Sequence, residues 1–274
     1  MENSWIHHYE IPVKGMKRKT VFHFSDVHLS LYDKESTEEE ASRAKIRTKE
    51  WESNRKHFAT GHNEPYEEQM SKTAKEQFET LIETACNGDL VLLAGDITDY
   101  FSGANTRYLE QMLKKCSVPY LYVSGNHEFL EVPSDNRAFE ELKKPFQIIE
   151  QEDVIVFGLN NSNRVITSEQ NDALKQAFQS GKPVMIVMHI PVMTAENEAV
   201  LKPCGEYFYI NYEGAPKENF EFITILKENA ESVIGVFAGH LHFGNVSEIA
   251  PGVTQYVSSQ GLLGNCNRYV IGDE

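Results

Sequence analysis

Thr20-Val21-Phe22-His23-Phe24-Ser25-Asp26-Val27-His28 is a short apolar run that stops at residues able to bind a metal. The same construction recurs four times downstream. Residues 89–94 lead to Gly95-Asp96, residues 120–124 to Gly125-Asn126-His127, residues 184–188 to His189, and residues 232–238 to Gly239-His240-Leu241-His242. Short apolar runs separated by helix-period segments are the pattern of a layered α/β domain. Loops at the carboxyl ends of strands in open α/β sheets converge on ligands, so five strands that end this way predict one shared site at one rim. In three of them a glycine directly precedes the ligand, which suits a sharp exit that a residue with a Cβ would resist.

Outward from these runs, further strands are expected at 5–13, 154–158, 245–249, 254–258 and 268–271. Helices alternate with them. Residues 69–84 place Met70, Ala74, Phe78, Leu81 and Ile82 at three- and four-residue steps, one face to pack on a sheet. Shorter helices are expected at 108–116 and 135–144. Thr167 with Gln170 forms a capping-box pattern opening a helix that ends near Gly181, and 218–230 is the last helix.

Two stretches interrupt this alternation. Residues 33–71 are dense in charges of both signs; Ser36 with Glu39 caps a helix whose Ala41, Ala44, Thr48, Trp51, Arg55 and Phe58 share a stripe. A solvated surface helix and a lid over the site are both compatible with that stripe. Residues 194–216 are irregular and carry Tyr207, Phe208, Tyr209 and Tyr212, a cluster that suits packing or the stacking of a nucleobase.

The chain has 274 residues and a net charge of −15. The length allows one large domain or two small ones, and motifs running from Asp26 to His242 make it a single domain, 1–274, if they share a site. The negative charge disfavours extended nucleic acid, whose binding rests on clustered Lys and Arg, and leaves room for a small anion drawn by bound metal. Cys86, Cys116, Cys204 and Cys266 are far apart with no CxxC pair, so neither a zinc ribbon nor a dithiol redox motif is offered, and reduced thiols are expected. There is no apolar leader at the N-terminus and no stretch near the ~18 apolar residues of a membrane span, so no membrane partner and a cytoplasmic location are expected.

Carboxylate, amide and imidazole ligands suit Mn, Fe, Zn or Ni better than Ca or Mg. Asp26, His28, Asp96, Asn126, His189, His240 and His242 can serve two such divalent metals if one carboxylate bridges, leaving positions for water and substrate. The ordered pattern D-x-H, G-D-x-x-D, G-N-H-E, H and G-H-x-H resembles that of the calcineurin-like metallophosphoesterase superfamily over nearly the whole chain. The resemblance implies an α/β fold, a four-layer α/β/β/α sandwich of two mixed β-sheets flanked by helices, with a dinuclear metal site at the strand carboxyl ends. It implies that Asp26, His28 and His242 hold one metal, that Asn126, His189 and His240 hold the other, and that Asp96 bridges. His127 would then be the catalytic histidine, free to stabilise charge or protonate the leaving alkoxide, with Asp99 orienting its other ring nitrogen. Standing alone, Asp99 would serve equally as the cap of the next helix. Hydroxide bridging the two metals would attack phosphorus in line, with inversion and no protein nucleophile.

Within the superfamily, protein phosphatases continue the second motif with Arg-Gly, where this chain has Tyr100 and Phe101. Nucleases act on polyanions, which the net charge disfavours, and non-catalytic protein-binding scaffolds of the same fold lose ligands, of which none is missing here. The expected activity is hydrolysis of a small phosphodiester or phosphomonoester, with a cyclic or linear nucleotide among the candidates and a nuclease or a scaffold as the alternatives. His23 reads as core, His57 and His62 as solvated, and Asn160, Asn161 and Arg164 are not counted in the site.

Overall fold

In the computed structural model, which describes residues 5–61, 72–128, 137–211 and 216–273, the apolar runs become strands. In chain order these are β1 (Ile6–Ile11), β2 (Lys19–Phe24), β3 (Leu90–Leu93), β4 (Tyr120–Tyr122), β5 (Phe146–Glu150), β6 (Ile155–Leu159), β7 (Val184–Val187), β8 (Val192–Met193), β9 (Ile210–Asn211), β10 (Val233–Ala238), β11 (Asn245–Ala250), β12 (Val253–Val257) and β13 (Cys266–Ile271). The helices are α1 (Glu38–Gly61), α2 (Ala74–Ala85), α3 (Gly103–Lys115), α4 (Ser168–Gln179), the single turn α5 (Glu198–Leu201) and α6 (Lys217–Glu228). One sheet has the order β1-β13-β2-β3-β4 and the other β11-β12-β10-β7-β6-β5; β8 and β9 form a separate pair. Both large sheets are mixed. β2, β3 and β4 are mutually parallel, as are β12, β10, β7 and β6, while β13 against β2, β11 against β12 and β5 against β6 run antiparallel.

Alternation along the strands builds the layers. Val21, Leu90, Leu92 and Leu121 of the first sheet meet Val156, Met185, Val187 and Phe237 of the second. The intervening residues Phe22, Phe24, Val91 and Leu93 turn outward to Phe78, Leu81 and Ile82 of α2 and to Leu109 and Met112 of α3. On the far side, Ile155, Phe157, Ile186 and Val236 pack on Leu174 and Phe178 of α4 and on Phe222 and Leu226 of α6. The result is helix, sheet, sheet, helix, with central strands apolar at nearly every position because both faces are covered. Fully burying each such Val, Leu, Ile or Phe contributes about 1.5–3 kcal/mol, so the three apolar cores between the four layers hold the strand ends firmly in place.

His23 lies in the layer between the sheets, as its place in the run predicts, with Nδ1 3.2 Å from the hydroxyl of Tyr269. Burial pushes its imidazole down to about 3, against the opposing charge of Asp26.

Several elements depart from expectation at their edges. α3 begins five residues before 108, because Ser102 accepts a hydrogen bond from the amide of Asn105 and so starts the helix inside a Gly-Ala-Asn stretch of low propensity. The helix expected at 135–144 is a 3₁₀ segment over Arg137–Lys143, and residues 135 and 136 lie outside the described residues. β5 was missed: its alternation is five residues long, on an edge strand with one open face. The start of the helix expected at 69–84, including Met70, also lies outside the described residues; α2 itself carries the capping box of Thr73 and Glu76.

Candidate metal centre

Parallel pairing brings the five motifs to one rim. Phe24 is registered with Leu93, and Leu93 with Tyr122, so Asp26, Asp96 and Asn126 leave the first sheet side by side. Phe237 is registered with Val187, which does the same for His240 and His189 on the second sheet. The exits are tied to one another by the backbone. The amides of Val27 and His28 both donate to the Asp96 carbonyl at 2.9 and 3.0 Å, and the amide of Gly239 donates to the His189 carbonyl at 2.9 Å.

The bends at this rim fall on the candidate ligands themselves. Among the described residues six non-glycine residues have positive φ: Asp26 (55°), His28 (52°), Asp96 (52°), His240 (73°), His242 (61°) and Arg164 (64°). Five of these are candidate ligands, and left-handed backbone at a residue with a Cβ costs roughly 1–2 kcal/mol. The glycines that precede ligands therefore need a different account from the sharp exit expected of all three. Only Gly95 has positive φ, at 86°. Gly125 and Gly239 are required for space: a Cβ on Gly125 would lie 1.9 Å from Asp96 Oδ1, and one on Gly239 would lie 2.3 Å from Ser25 Oγ.

Three ligand-type groups result among the described residues, two built from the expected ligands and a third of His28, Asp99 and His127 that shares His28 with the first. In the first, Asp26 Oδ1 is 3.3 Å from His242 Nε2 and 3.8 Å from His28 Nε2, and the two imidazole nitrogens are 3.1 Å apart. In the second, His189 Nε2 is 3.2 Å from Asp96 Oδ2 and 3.1 Å from Asn126 Oδ1, with His240 completing the group. Atoms 2.0–2.2 Å from a common tetrahedral centre lie about 3.3–3.6 Å apart, so both clusters fit a transition metal with little closure or opening. Asp26 Oδ1 is buried with no hydrogen-bond partner, an arrangement a cation would relieve. Backbone carbonyls fix two of the rings: His189 Nδ1 is 2.7 Å from Ala94 O and His240 Nε2 is 2.9 Å from Tyr207 O, leaving Nε2 of the first and Nδ1 of the second as the nitrogens open to a ligand role.

The electrostatics are those of buried charges held together. Burial pushes the His28 imidazole down to about 4, and burial with the charge of His189 does the same to His240, so both present lone pairs at neutral pH. Burial alone would raise the carboxyls of Asp26 and Asp96; the charges of His242 and His189 respectively override it and hold both below the usual carboxylate range. Burial opposes protonation of His189, but Asp96 raises it to about 9. A proton there occupies the space between Nε2 and the carboxylate that a cation would take.

His127 stands beside these clusters, partly exposed, with its Nδ1 2.9 Å from Asp99 Oδ1. Its imidazole is raised: burial acts downward, and the bond to Asp99 and the charge of Asp96 outweigh it. Asp99 does not cap α3, since Ser102 does. Asn161 is used internally; its side-chain oxygen accepts from the amides of His189 and Ile190, both at 3.1 Å. Asn160 is likewise engaged with Ser162, and Arg164 lies on the surface with its guanidinium 4.9 Å over the ring of Tyr207. His57 is exposed on α1, and His62 and Tyr212 lie outside the described residues.

The sequence did not reveal three contributors. Glu128 is fully buried and accepts from the amides of Gly125 (3.0 Å), Asp96 (3.2 Å) and Thr98 (2.8 Å), pinning two ligand loops together; burial and the Asp96 charge push it up to about 7. Arg47 and Trp51 come from α1. Arg47 donates to Asp99 through Nε (2.6 Å) and Nη2 (2.8 Å), and Trp51 donates Nε1 to Asp99 Oδ1 (2.9 Å) while its ring stacks on His28 at 3.7 Å. A wholly solvated helix is therefore not what residues 38–61 form. The available signal was an Arg one turn before a Trp on a charged helix.

Residues 19–244 match the family model for calcineurin-like phosphoesterases. The chain belongs to the calcineurin-like phosphoesterase family, whose members typically bind two divalent metals, and the two clusters fit that habit. Among solved structures it is similar to a dimetal phosphatase from Danio rerio, at 15% identity, TM-score 0.56, and coverage of 89% of this chain and 88% of that one. It is also similar to a phosphopantetheinyl hydrolase from Mycobacterium tuberculosis (14% identity, TM-score 0.41, coverage 89% and 90%) and to a purple acid phosphatase from yellow lupin seeds (12%, TM-score 0.49, coverage 88% and 44%). No curated protein sequence matches. Among the described residues no helix is long and apolar enough to cross a membrane.

Proposed function

We propose that this chain is a dinuclear metal-dependent phosphoesterase acting on a small phosphodiester or phosphomonoester in the cytoplasm, with nucleotides the favoured class. The observation that carries this is the adjacency of the two ligand clusters to a histidine, His127, whose Nδ1 is held by the Asp99 carboxylate and which the seven proposed ligands leave free for chemistry. Asp26, His28 and His242 would hold one transition metal and Asn126, His189 and His240 the other, with Asp96 shared; oxygen and imidazole ligands suit Mn, Fe, Zn or Ni. When bound, the cations attract the phosphate and activate water for in-line displacement.

The protein's own groups do the rest. With Nδ1 bonded to Asp99, His127 has Nε2 left to protonate or steady the leaving alkoxide. Tyr207 supports the nucleotide class: the residue is 76% exposed, its ring lies under Arg164, and its carbonyl holds His240. A base can stack there at the mouth of the centre. The test is turnover by Mn²⁺-loaded protein of bis-p-nitrophenyl phosphate, p-nitrophenyl phosphate and a panel of cyclic and linear nucleotides. Hydrolysis with kcat/KM highest on a nucleotide is expected, and no turnover on any of them would overturn the proposal.

A further inference from the structure

Residues 43, 47, 51 and 55 follow one another at four-residue steps down one face of α1, and each reaches the scaffold around the centre. The Arg43 guanidinium lies 3.7 Å over the ring of the buried Tyr100, next in sequence to Asp99. Arg47 and Trp51 grip Asp99 itself, and Arg55 donates to the Lys72 carbonyl at 3.1 Å. The start of the segment is tethered as well, by a two-pronged pairing of Arg107 with Asp33.

Asp99 is 4% exposed and carries its charge there because donors surround it. Its Oδ1 takes His127 Nδ1, Arg47 Nη2 and Trp51 Nε1, with His28 Nδ1 at 3.6 Å; its Oδ2 takes Arg47 Nε, with Ser30 Oγ at 3.4 Å. An Arg fork that binds both oxygens fixes the plane of the carboxylate as well as its position. A carboxylate held by one contact can swivel about its last bond, and one held by a fork cannot. The direction of the His127 ring follows from the direction of Asp99, so the fork reaches His127 through one intermediate.

We infer that Arg47, supported by Trp51, is a positioning residue: α1 sets the orientation of the Asp99–His127 pair and thereby the rate at which the leaving group departs. This rests on the phosphoesterase reading above. It gives the charged insertion a part in the chemistry, distinct from covering the site or adding stability. Arg47 is the informative member of the pair, since Trp51 packs directly on a candidate ligand, His28, whereas Arg47 reaches His28 only through Asp99.

The experiment uses the full chain loaded with Mn²⁺, comparing wild type with Arg47→Ala, Arg47→Lys and Trp51→Phe on phenyl phosphate and p-nitrophenyl phosphate esters, with metal content measured in parallel. A group that aids departure of the leaving oxygen matters most when that oxygen is strongly basic. Arg47→Ala should lose on the order of tenfold to a hundredfold in kcat on the phenyl ester, less on the p-nitrophenyl ester, with little change in KM and the same metal content as wild type. Millimolar guanidinium should restore part of that loss in Arg47→Ala and none in Trp51→Phe. Lysine should recover only part of it, being a point charge without the fork. Trp51→Phe keeps a ring against His28 while removing one donor to Asp99, and should show a smaller loss with the same leaving-group bias. Unchanged kcat in the Arg47 variants, an equal loss on both esters without guanidinium rescue, or a loss that tracks falling metal content would overturn the inference while leaving the phosphoesterase reading intact. Absence of turnover in wild type on every phosphoester would overturn both.

Discussion

The two segments that break the strand–helix alternation meet the centre differently. α1 enters with side chains: Arg47 and Trp51 bond to Asp99, and the Trp51 ring lies flat on His28. The stretch around Tyr207 enters with its backbone, whose carbonyl bonds to His240 while the ring stays in solvent. A side-chain contact ties function to residue type. A carbonyl contact does not, because any residue at 207 supplies the same oxygen, which frees that ring to suit a substrate without disturbing the candidate ligand beneath it. On the proposed function, the first segment would be coupled to the chemistry and the second to recognition.

The largest effect is expected at His127, the group that α1 would serve through Asp99. His127→Ala should lower kcat on the order of 10²- to 10⁴-fold while wild-type metal content, measured by elemental analysis, is retained; undiminished turnover would remove the reason for treating α1 as coupled to chemistry. Trp51→Ala should then destabilise the fold by about 3 kcal/mol in urea denaturation, since a buried ring stacked on His28 leaves a cavity. A change below about 0.5 kcal/mol would mean that α1 is loosely attached. On the other side, Tyr207→Ala should raise KM for a nucleotide about tenfold with kcat and metal content nearly constant, the effect of one lost stacking partner. A fall in kcat without change in KM would put both segments in the same role.

A separate effect, on stability rather than turnover, is expected in the layer between the sheets, at His23. Its imidazole is pushed down to about 3 in the fold against an ordinary value of 6.5, so between those values the unfolded chain binds the extra proton. Stability should therefore fall as pH drops from 6.5 toward 3, by up to about 1.4 kcal/mol per pH unit from this group. Metal-free His23→Gln should show a shallower decline in urea titrations between pH 4 and 6, and an identical slope would place the acid sensitivity elsewhere.

Much of this was legible in the chain. Strand ends announce themselves because both faces of the central strands are buried, so each apolar run is nearly unbroken and its end is abrupt; Asp26, Asp96 and His189 stand out for that reason. α4 was legible for a local reason, the Thr167 and Gln170 box. Arg47 was not, because its partner lies 52 residues away and its neighbours on α1 are charged too, so nothing local separates a gripping arginine from a solvated one. Gly125 and Gly239 differ from Gly95 for a related reason. φ at Gly125 and Gly239 is ordinary, and what excludes a Cβ there is another loop, Asp96 in one case and Ser25 in the other, that only tertiary structure brings near.

The left-handed bends at Asp26, His28, Asp96, His240 and His242 bear on how quickly a cation can be taken up. They are imposed by the register of the sheets and by bonds between the exits, both complete when the chain has folded, so on the proposed function the ligating shape would precede the ion. Uptake would then require the loss of protons and of the ion's own water shell, with little movement of the chain. A chelator should strip the centre and leave a folded protein behind, ready to refill on the timescale of ligand exchange rather than of folding.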